Sequence, residues 1–107
     1  MCGFCRMAIS QRQFAAEVLD ADENPVKFDD IGCTLRYIAG HKPSTIFVVD
    51  YGTRRWIEGG AAFFVRGSRV ATPMAGGILA FGDRSQAEAA ARELGGEVQT
   101  FARLSKP

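Results

Sequence analysis

Glycine, proline and acidic turn residues divide this chain of 107 residues into short elements, and the same order of elements occurs twice. Placing Phe28-Asp29-Asp30 over Phe81-Gly82-Asp83 aligns the two halves at an offset of 53 residues. In each half the order is strand, strand, helix and strand, with an aspartate available to cap the helix. Because one such unit is too small to cover its own sheet, we expect the two units to pack together.

The pattern predicts a definite set of elements. In the first half these are an apolar-rich segment at 13–21, a strand at 26–28, a helix with Ile31, Leu35 and Ile38 on one face, and a strand at 45–51. In the second half they are strands at 61–66 and 77–81, a helix at 86–94 and a last strand at 97–104. The sequence therefore predicts an α+β fold of duplicated ββαβ units with mainly antiparallel strands. We expect one domain over residues 1–107, with repeat halves at approximately 12–51 and 61–104.

Charge and hydropathy exclude several classes of protein. The 13 basic and 12 acidic side chains leave a net charge of +1, which gives no electrostatic signature of binding to nucleic acid or to an anionic membrane. No apolar run is long enough to span a bilayer, and the amino terminus does not resemble a signal peptide. A CxxC motif nevertheless begins directly after Met1, so we expect that an export or anchor segment has been removed.

Three cysteines, Cys2, Cys5 and Cys33, cannot all pair with one another in disulfides. Cys2 and Cys5 form the CxxC, which has three common interpretations. A redox pair usually follows a strand and begins a helix, and no strand precedes this one. A zinc half-site needs a second pair of ligands, and the remaining Cys33 and His41 match no standard zinc spacing.

The third interpretation is a site for a soft metal ion. Cys5 and Met7 lie two residues apart in a predicted loop, so that a thiolate and a thioether could bind one ion. This donor pair favours Cu(I), which accepts two or three ligands, over hard cations and over zinc. Met74 lies in a second loop, between Pro73 and two glycines, and is either a further ligand or an apolar side chain that fills a gap.

Four sequence features together resemble the NosL family, the copper chaperones of nitrous oxide reductase maturation. They are Cys2-x-x-Cys5-x-Met7-x-Ile9 near the start, Trp56-Ile57, Gly67-Ser68 followed by Pro73-Met74, and the ending over 78–96. The resemblance covers nearly the whole chain. It implies two related ββαβ units, Cu(I) binding, export to the periplasm and anchoring as a lipoprotein.

The resemblance also implies roles for individual residues. Cys5 and Met7 match the metal-binding cysteine and methionine of the family motif, Met74 matches its later methionine, and Cys2 matches a cysteine that often precedes the motif. Arg6 stands where the family usually has glycine. A fixed positive charge beside the thiolate favours the ionised sulfur and alters the loop.

The other polar candidates have structural interpretations as well. His41 follows a helix end, where the dipole favours a histidine, and Cys33 is expected to be a buried, small apolar side chain. Trp56, beside Arg54 and Arg55, either docks a partner or closes the sheet. The spacing of the carboxylates Asp29, Asp30 and Asp50 does not suggest an acid–base pair.

The expected function is therefore copper delivery rather than catalysis, to a nitrous oxide reductase-like enzyme. Two alternatives stay open. One is an enzyme that uses Cys2 and Cys5 for redox chemistry or for organomercurial cleavage. The other is a structural interaction module whose cysteines hold zinc or nothing. Neither alternative needs Met7 or Met74.

Overall fold

A computed structural model describes residues 12–40, 45–70 and 77–104. The first part of the chain contains a 3-10 turn, four strands and a helix: Arg12–Phe14, β1 (Ala16–Leu19), β2 (Pro25–Phe28), α1 (Ile31–Ile38), β3 (Thr45–Val49) and β4 (Trp56–Glu58). The second part contains a 3-10 turn, three strands and two helices: Gly59–Ala61, β5 (Phe63–Arg66), β6 (Leu79–Phe81), α2 (Arg84–Leu94), β7 (Glu97–Thr100) and α3 (Phe101–Leu104).

The strands form two antiparallel sheets with matching topology. The first sheet has the order β2-β1-β3-β4 and the second has the order β6-β5-β7. In both sheets the first strand of the unit lies in the middle and pairs antiparallel with the two strands that follow it in sequence. The two strands that flank it, β2 and β3 in one sheet and β6 and β7 in the other, are consequently parallel to each other, and the helix connects them across the first strand. The predicted α+β fold of duplicated ββαβ units is confirmed.

The 53-residue offset holds at the second strand and at the start of the helix in each unit. Phe28 pairs with the first residue of β1, and Phe81 pairs with the first residue of β5. Asp30 caps α1 by accepting a hydrogen bond from the Gly32 N–H, and Asp83 caps α2 through the Ser85 N–H. An aspartate is favoured at this position because the first N–H groups of a helix have no partner within the helix.

Several segments differ from the sequence prediction. No strand is predicted at residues 56–58, yet they form the edge strand β4 against β3. The predicted last strand at 97–104 ends at Thr100, and the chain turns into the short helix α3. Phe101 and Leu104, three residues apart, lie on one side of that helical turn and pack into the core. Helix α2 begins at Arg84, two residues before the predicted start, because Asp83 rather than Ser85 is its cap.

Both units contribute to one hydrophobic cluster, which we call the shared core. It contains Ala16, Val18, Phe28, Ile31, Cys33, Val48, Ala62, Phe64, Ile78, Ala80 and Leu104. A second cluster lies between the other face of the second sheet and α2, and consists of the buried residues Phe14, Val65, Leu79, Phe81 and Ala87 with partly buried neighbours. Phe64 and Val65 are consecutive in β5 and enter different clusters, because successive side chains of a strand point to opposite faces. None of the helices in the described ranges is long and apolar enough to cross a membrane.

Candidate metal centre

The predicted ligands Cys2, Cys5, Met7 and Met74 lie outside the described residues, as does His41. What the structure describes is how the two segments that carry these ligands join the fold. The first segment ends where the described chain begins at Arg12. The second segment lies between Val70 and Gly77. The geometry at these junctions determines whether the two segments start from the same part of the molecule.

Phe14 anchors the amino-terminal segment. Its side chain is only 3% exposed, and its ring stacks on Tyr51 with centroids 5.8 Å apart. Tyr51 in turn contacts the edge of Phe81 at 6.0 Å. The Val49 N–H donates to the Ala15 carbonyl at 3.3 Å, so the backbone is fixed at the same place. The chain therefore enters the fold at a rigid aromatic contact.

Ser68 and Gly77 close the base of the second segment. The Ser68 N–H and hydroxyl both donate to the Gly77 carbonyl, at 3.1 and 2.8 Å. The Ser68 hydroxyl oxygen also accepts from the Val70 N–H at 3.3 Å. Gly77 has φ +64, and a Cβ at this position would lie 2.7 Å from the Ser68 carbonyl oxygen. A side chain at position 77 would therefore force the closed base apart.

Arg69 connects the same loop to the end of α2. Its N–H donates to the Leu94 carbonyl at 2.9 Å, and its guanidinium donates to the Glu93 carbonyl at 2.8 Å. These carbonyls belong to the last turn of the helix, where they have no partner within the helix and where the dipole favours a cation. The loop base is thus held by the helix end as well as by Gly77.

The two described junctions border one hydrophobic cluster. Phe14, from the amino-terminal junction, is a member of the second cluster, and Val70, from the loop junction, packs against that cluster. Leu79 and Phe81, which follow the loop in sequence, belong to the same cluster. Both junctions therefore lie along one cluster, although about 60 residues separate the two segments in the sequence.

Asp50 fixes the end of β3 directly before Tyr51, the ring partner of Phe14. Its carboxylate is 4% exposed and accepts three backbone hydrogen bonds, from Gly52 at 2.8 Å, Thr53 at 2.9 Å and Gly82 at 2.7 Å. Burial alone would raise the pKa of Asp50, but the backbone hydrogen bonds from Thr53, Gly82 and Gly52 outweigh it and hold the pKa below its ordinary value. Asp50 is thus an ionised structural group that links the first sheet to the end of β6.

Cys33 lies apart from the anchors. It is 1% exposed, is on α1 and belongs to the shared core. Its prediction as a buried, small apolar side chain is confirmed. Within residues 12–40, 45–70 and 77–104, no group of three or more His, Cys, Asp or Glu side chains could hold a metal ion.

The order of the strands and the paired helix caps define a class of small, duplicated ββαβ proteins. The family model of NosL matches residues 1–107, and this chain belongs to the NosL family. It is similar to the crystal structure of the copper chaperone NosL from Shewanella denitrificans. The TM-score is 0.87 at 21% sequence identity, over 94% of this chain and 86% of that chain. No curated protein matches the chain.

Proposed function

We propose that this protein is a Cu(I) chaperone whose ligands are Cys5, Met7 and Met74, with Cys2 beside them. The observation that supports the proposal is that the junctions of both segments border the second cluster, where Phe14 is buried and against which Val70 packs. A site built from two segments requires both segments to reach one ion, and a common cluster at their junctions favours this. Membership of the NosL family supports the choice of cargo, as does likeness to a protein described as a copper chaperone.

The donor set supports Cu(I) over other ions. A thiolate and two thioethers are soft ligands, and Cu(I) is stable with two or three of them. Zinc binds thioether sulfur weakly and prefers four ligands. Ligands on loops rather than inside strands can also be exchanged one at a time with those of an acceptor. The protein in this proposal transfers its ion and catalyses no reaction.

The recipient in this proposal is a copper enzyme of the nitrous oxide reductase kind, and the place of delivery is the periplasm. The full-length protein would be held at the membrane by a lipid anchor. These points depend on the family resemblance of the Cys2-x-x-Cys5-x-Met7 motif. Mixing the Cu(I)-loaded protein anaerobically with copper-free nitrous oxide reductase, separating the two proteins and measuring the copper content of each tests the recipient.

An anaerobic Cu(I) titration against a competing chelator tests the metal site. We expect one Cu(I) per protein, no binding by Cys5→Ala, and at least tenfold weaker binding by Met7→Ala and Met74→Ala, because each loses one ligand. Cys33→Ala is the matched control, since this cysteine lies in the shared core, and it should bind Cu(I) as the unaltered protein does.

Other outcomes would favour the alternatives. Binding that depends on Cys2 and Cys5 but not on either methionine would point to thiol chemistry, and a redox assay of the cysteine pair would then follow. Preference for zinc over Cu(I), with unfolding when zinc is removed, would indicate a structural module. Either result would contradict the copper proposal.

A further inference from the structure

Trp56 stands out on the surface of the first sheet. It is 42% exposed and is the exposed large apolar side chain of the described residues. It begins β4, the last strand of the sheet order β2-β1-β3-β4, and its backbone pairs with Val49. The backbone of Trp56 therefore belongs to the edge strand of the sheet. Its side chain is largely exposed, so strand pairing does not explain why a tryptophan is present.

Two cations precede this tryptophan. Arg54 and Arg55 are both exposed, and in the described part of the chain neither guanidinium is in an ion pair. Glu58, the nearest carboxylate to Arg55 in sequence, is exposed and is in no ion pair within the described residues, and Asp50 already accepts three backbone hydrogen bonds. Arginine and tryptophan are the residues most enriched at the energetic centres of protein interfaces. We call residues 54–58 the β4 surface.

The turn before β4 is rigid. The Asp50 N–H donates to the Arg55 carbonyl at 2.8 Å, and the Arg54 N–H donates to the Asp50 carbonyl at 2.8 Å. Arg54 has φ +62, a left-handed conformation that a side chain rarely adopts outside constrained sites. A surface that is held in one conformation before binding loses less conformational entropy when a partner arrives.

We propose that the β4 surface docks an extended, acidic segment of a partner protein. The segment adds to the open edge of β4, its carboxylates pair with Arg54 and Arg55, and one of its apolar side chains covers Trp56. An edge strand supplies backbone hydrogen bonds to such a segment, while the flanking side chains supply specificity. Charge complementarity favours an acidic partner, because the two cations Arg54 and Arg55 outnumber the one carboxylate of the surface, Glu58.

A protein segment fits this surface better than a membrane does. Two cations and one tryptophan give weak attraction to anionic lipid, and stable membrane binding needs a larger basic cluster or a second anchor. None of the residues of the β4 surface is among the proposed copper ligands, so the inference stands without the metal.

The test uses two labelled peptides of ten residues and the copper-free protein. One peptide alternates glutamate with valine, and its control alternates lysine with valine. Fluorescence anisotropy at low ionic strength should show at least tenfold tighter binding of the glutamate peptide. The double variant Arg54→Glu/Arg55→Glu should weaken that binding at least tenfold, and so should Trp56→Ala.

The double variant Arg92→Glu/Arg103→Glu is the matched charge control, because both arginines are exposed and lie on α2 and α3, outside the β4 surface. It should bind the glutamate peptide within twofold of the unaltered protein. Circular dichroism establishes that each variant is folded, and Trp56→Tyr supplies a milder change should Trp56→Ala unfold. Amide exchange should slow at β4 when the glutamate peptide is bound.

Three results would overturn the inference. Equal affinity for both peptides, including none for either, would mean that the surface does not select acidic segments. Unchanged binding in Arg54→Glu/Arg55→Glu would place the peptide elsewhere. The third result is arginine-dependent binding to phosphatidylserine-containing vesicles, or Trp56-dependent self-association, without peptide binding. It would assign the surface to a membrane or to a second copy of this chain.

Discussion

Asp50 provides the most precise test of how the two units are held together. Its carboxylate receives N–H groups from its own turn, at Gly52 and Thr53, and from Gly82 across the boundary between the sheets. Asp50→Ala removes all three bonds. Asp50→Asn keeps an oxygen for the local N–H groups but places an amide N–H₂, also a donor, in the same site.

The expected loss in the free energy of unfolding follows from the number of hydrogen bonds that are removed and from the exposure of their donors to water. A hydrogen bond to a charged group contributes roughly 1.5–3 kcal/mol when water cannot replace it. The three donors belong to exposed residues, so water recovers part of each loss. We therefore expect Asp50→Ala to lower the free energy of unfolding by about 3 kcal/mol and Asp50→Asn by about 2 kcal/mol. Such losses are large against a typical total of about 5–15 kcal/mol.

The pH dependence has a definite sign. The pKa of Asp50 in the folded protein is below its ordinary value, so the carboxylate stabilises the fold at all pH values above the unfolded pKa, about 3.9. That stabilisation is lost as the pH falls below about 4 and through the folded pKa. The free energy of unfolding of the unaltered protein should exceed that of Asp50→Asn by its largest amount at pH 7 and by less at about pH 3.

Urea unfolding followed by circular dichroism measures these differences. Asp83→Asn is the matched control, because asparagine caps a helix about as well as aspartate, and the change should cost less than about 0.5 kcal/mol. A loss below about 0.5 kcal/mol in both Asp50 variants, or a loss in Asp50→Asn that is as large at pH 3 as at pH 7, would refute the reasoning.

Three further predictions concern the anchors and the shared core. Gly77→Ala should lower the free energy of unfolding by about 1–3 kcal/mol more than Gly67→Ala, measured in urea, because both positions have positive φ but only a Cβ at 77 meets the backbone of Ser68. Phe14→Ala should cost about 3–5 kcal/mol in the same assay, and a cost below about 1 kcal/mol would contradict its role as an anchor. Cys33→Ser should cost about 1–3 kcal/mol by burying a hydroxyl yet keep one Cu(I) per protein, whereas loss of copper would contradict its position in the shared core.

Local signals made much of the fold predictable. Asp30 and Asp83 could be recognised as caps because each precedes a helical pattern, and they lie at the offset that relates the two units. The β4 strand was missed because three residues among polar neighbours become a strand only through pairing with β3. The ending at 97–104 was ambiguous, since its apolar spacing fits both an alternating strand and a helical turn at Phe101 and Leu104.

The candidate site was predictable in its ligand types but not in its assembly. Cys5 and Met7 are adjacent in a motif, whereas the anchoring of Phe14 and Val70 in one cluster is a tertiary fact that no local pattern encodes. The contacts of Asp50 were also predictable only in part. An aspartate two residues before a glycine indicates a turn, but nothing near it indicates a hydrogen bond from Gly82, 32 residues away.

X-ray absorption at the copper edge of the Cu(I)-loaded, selenomethionine-labelled protein tests the central claim most directly. If methionines of both segments bind the copper ion, the spectrum should show scattering from selenium as well as from cysteine sulfur. Met74→Leu and Met7→Leu should each reduce the selenium contribution without removing it. Scattering from sulfur alone, or from nitrogen and oxygen, would contradict a copper site built jointly from the amino-terminal segment and the loop at 71–76.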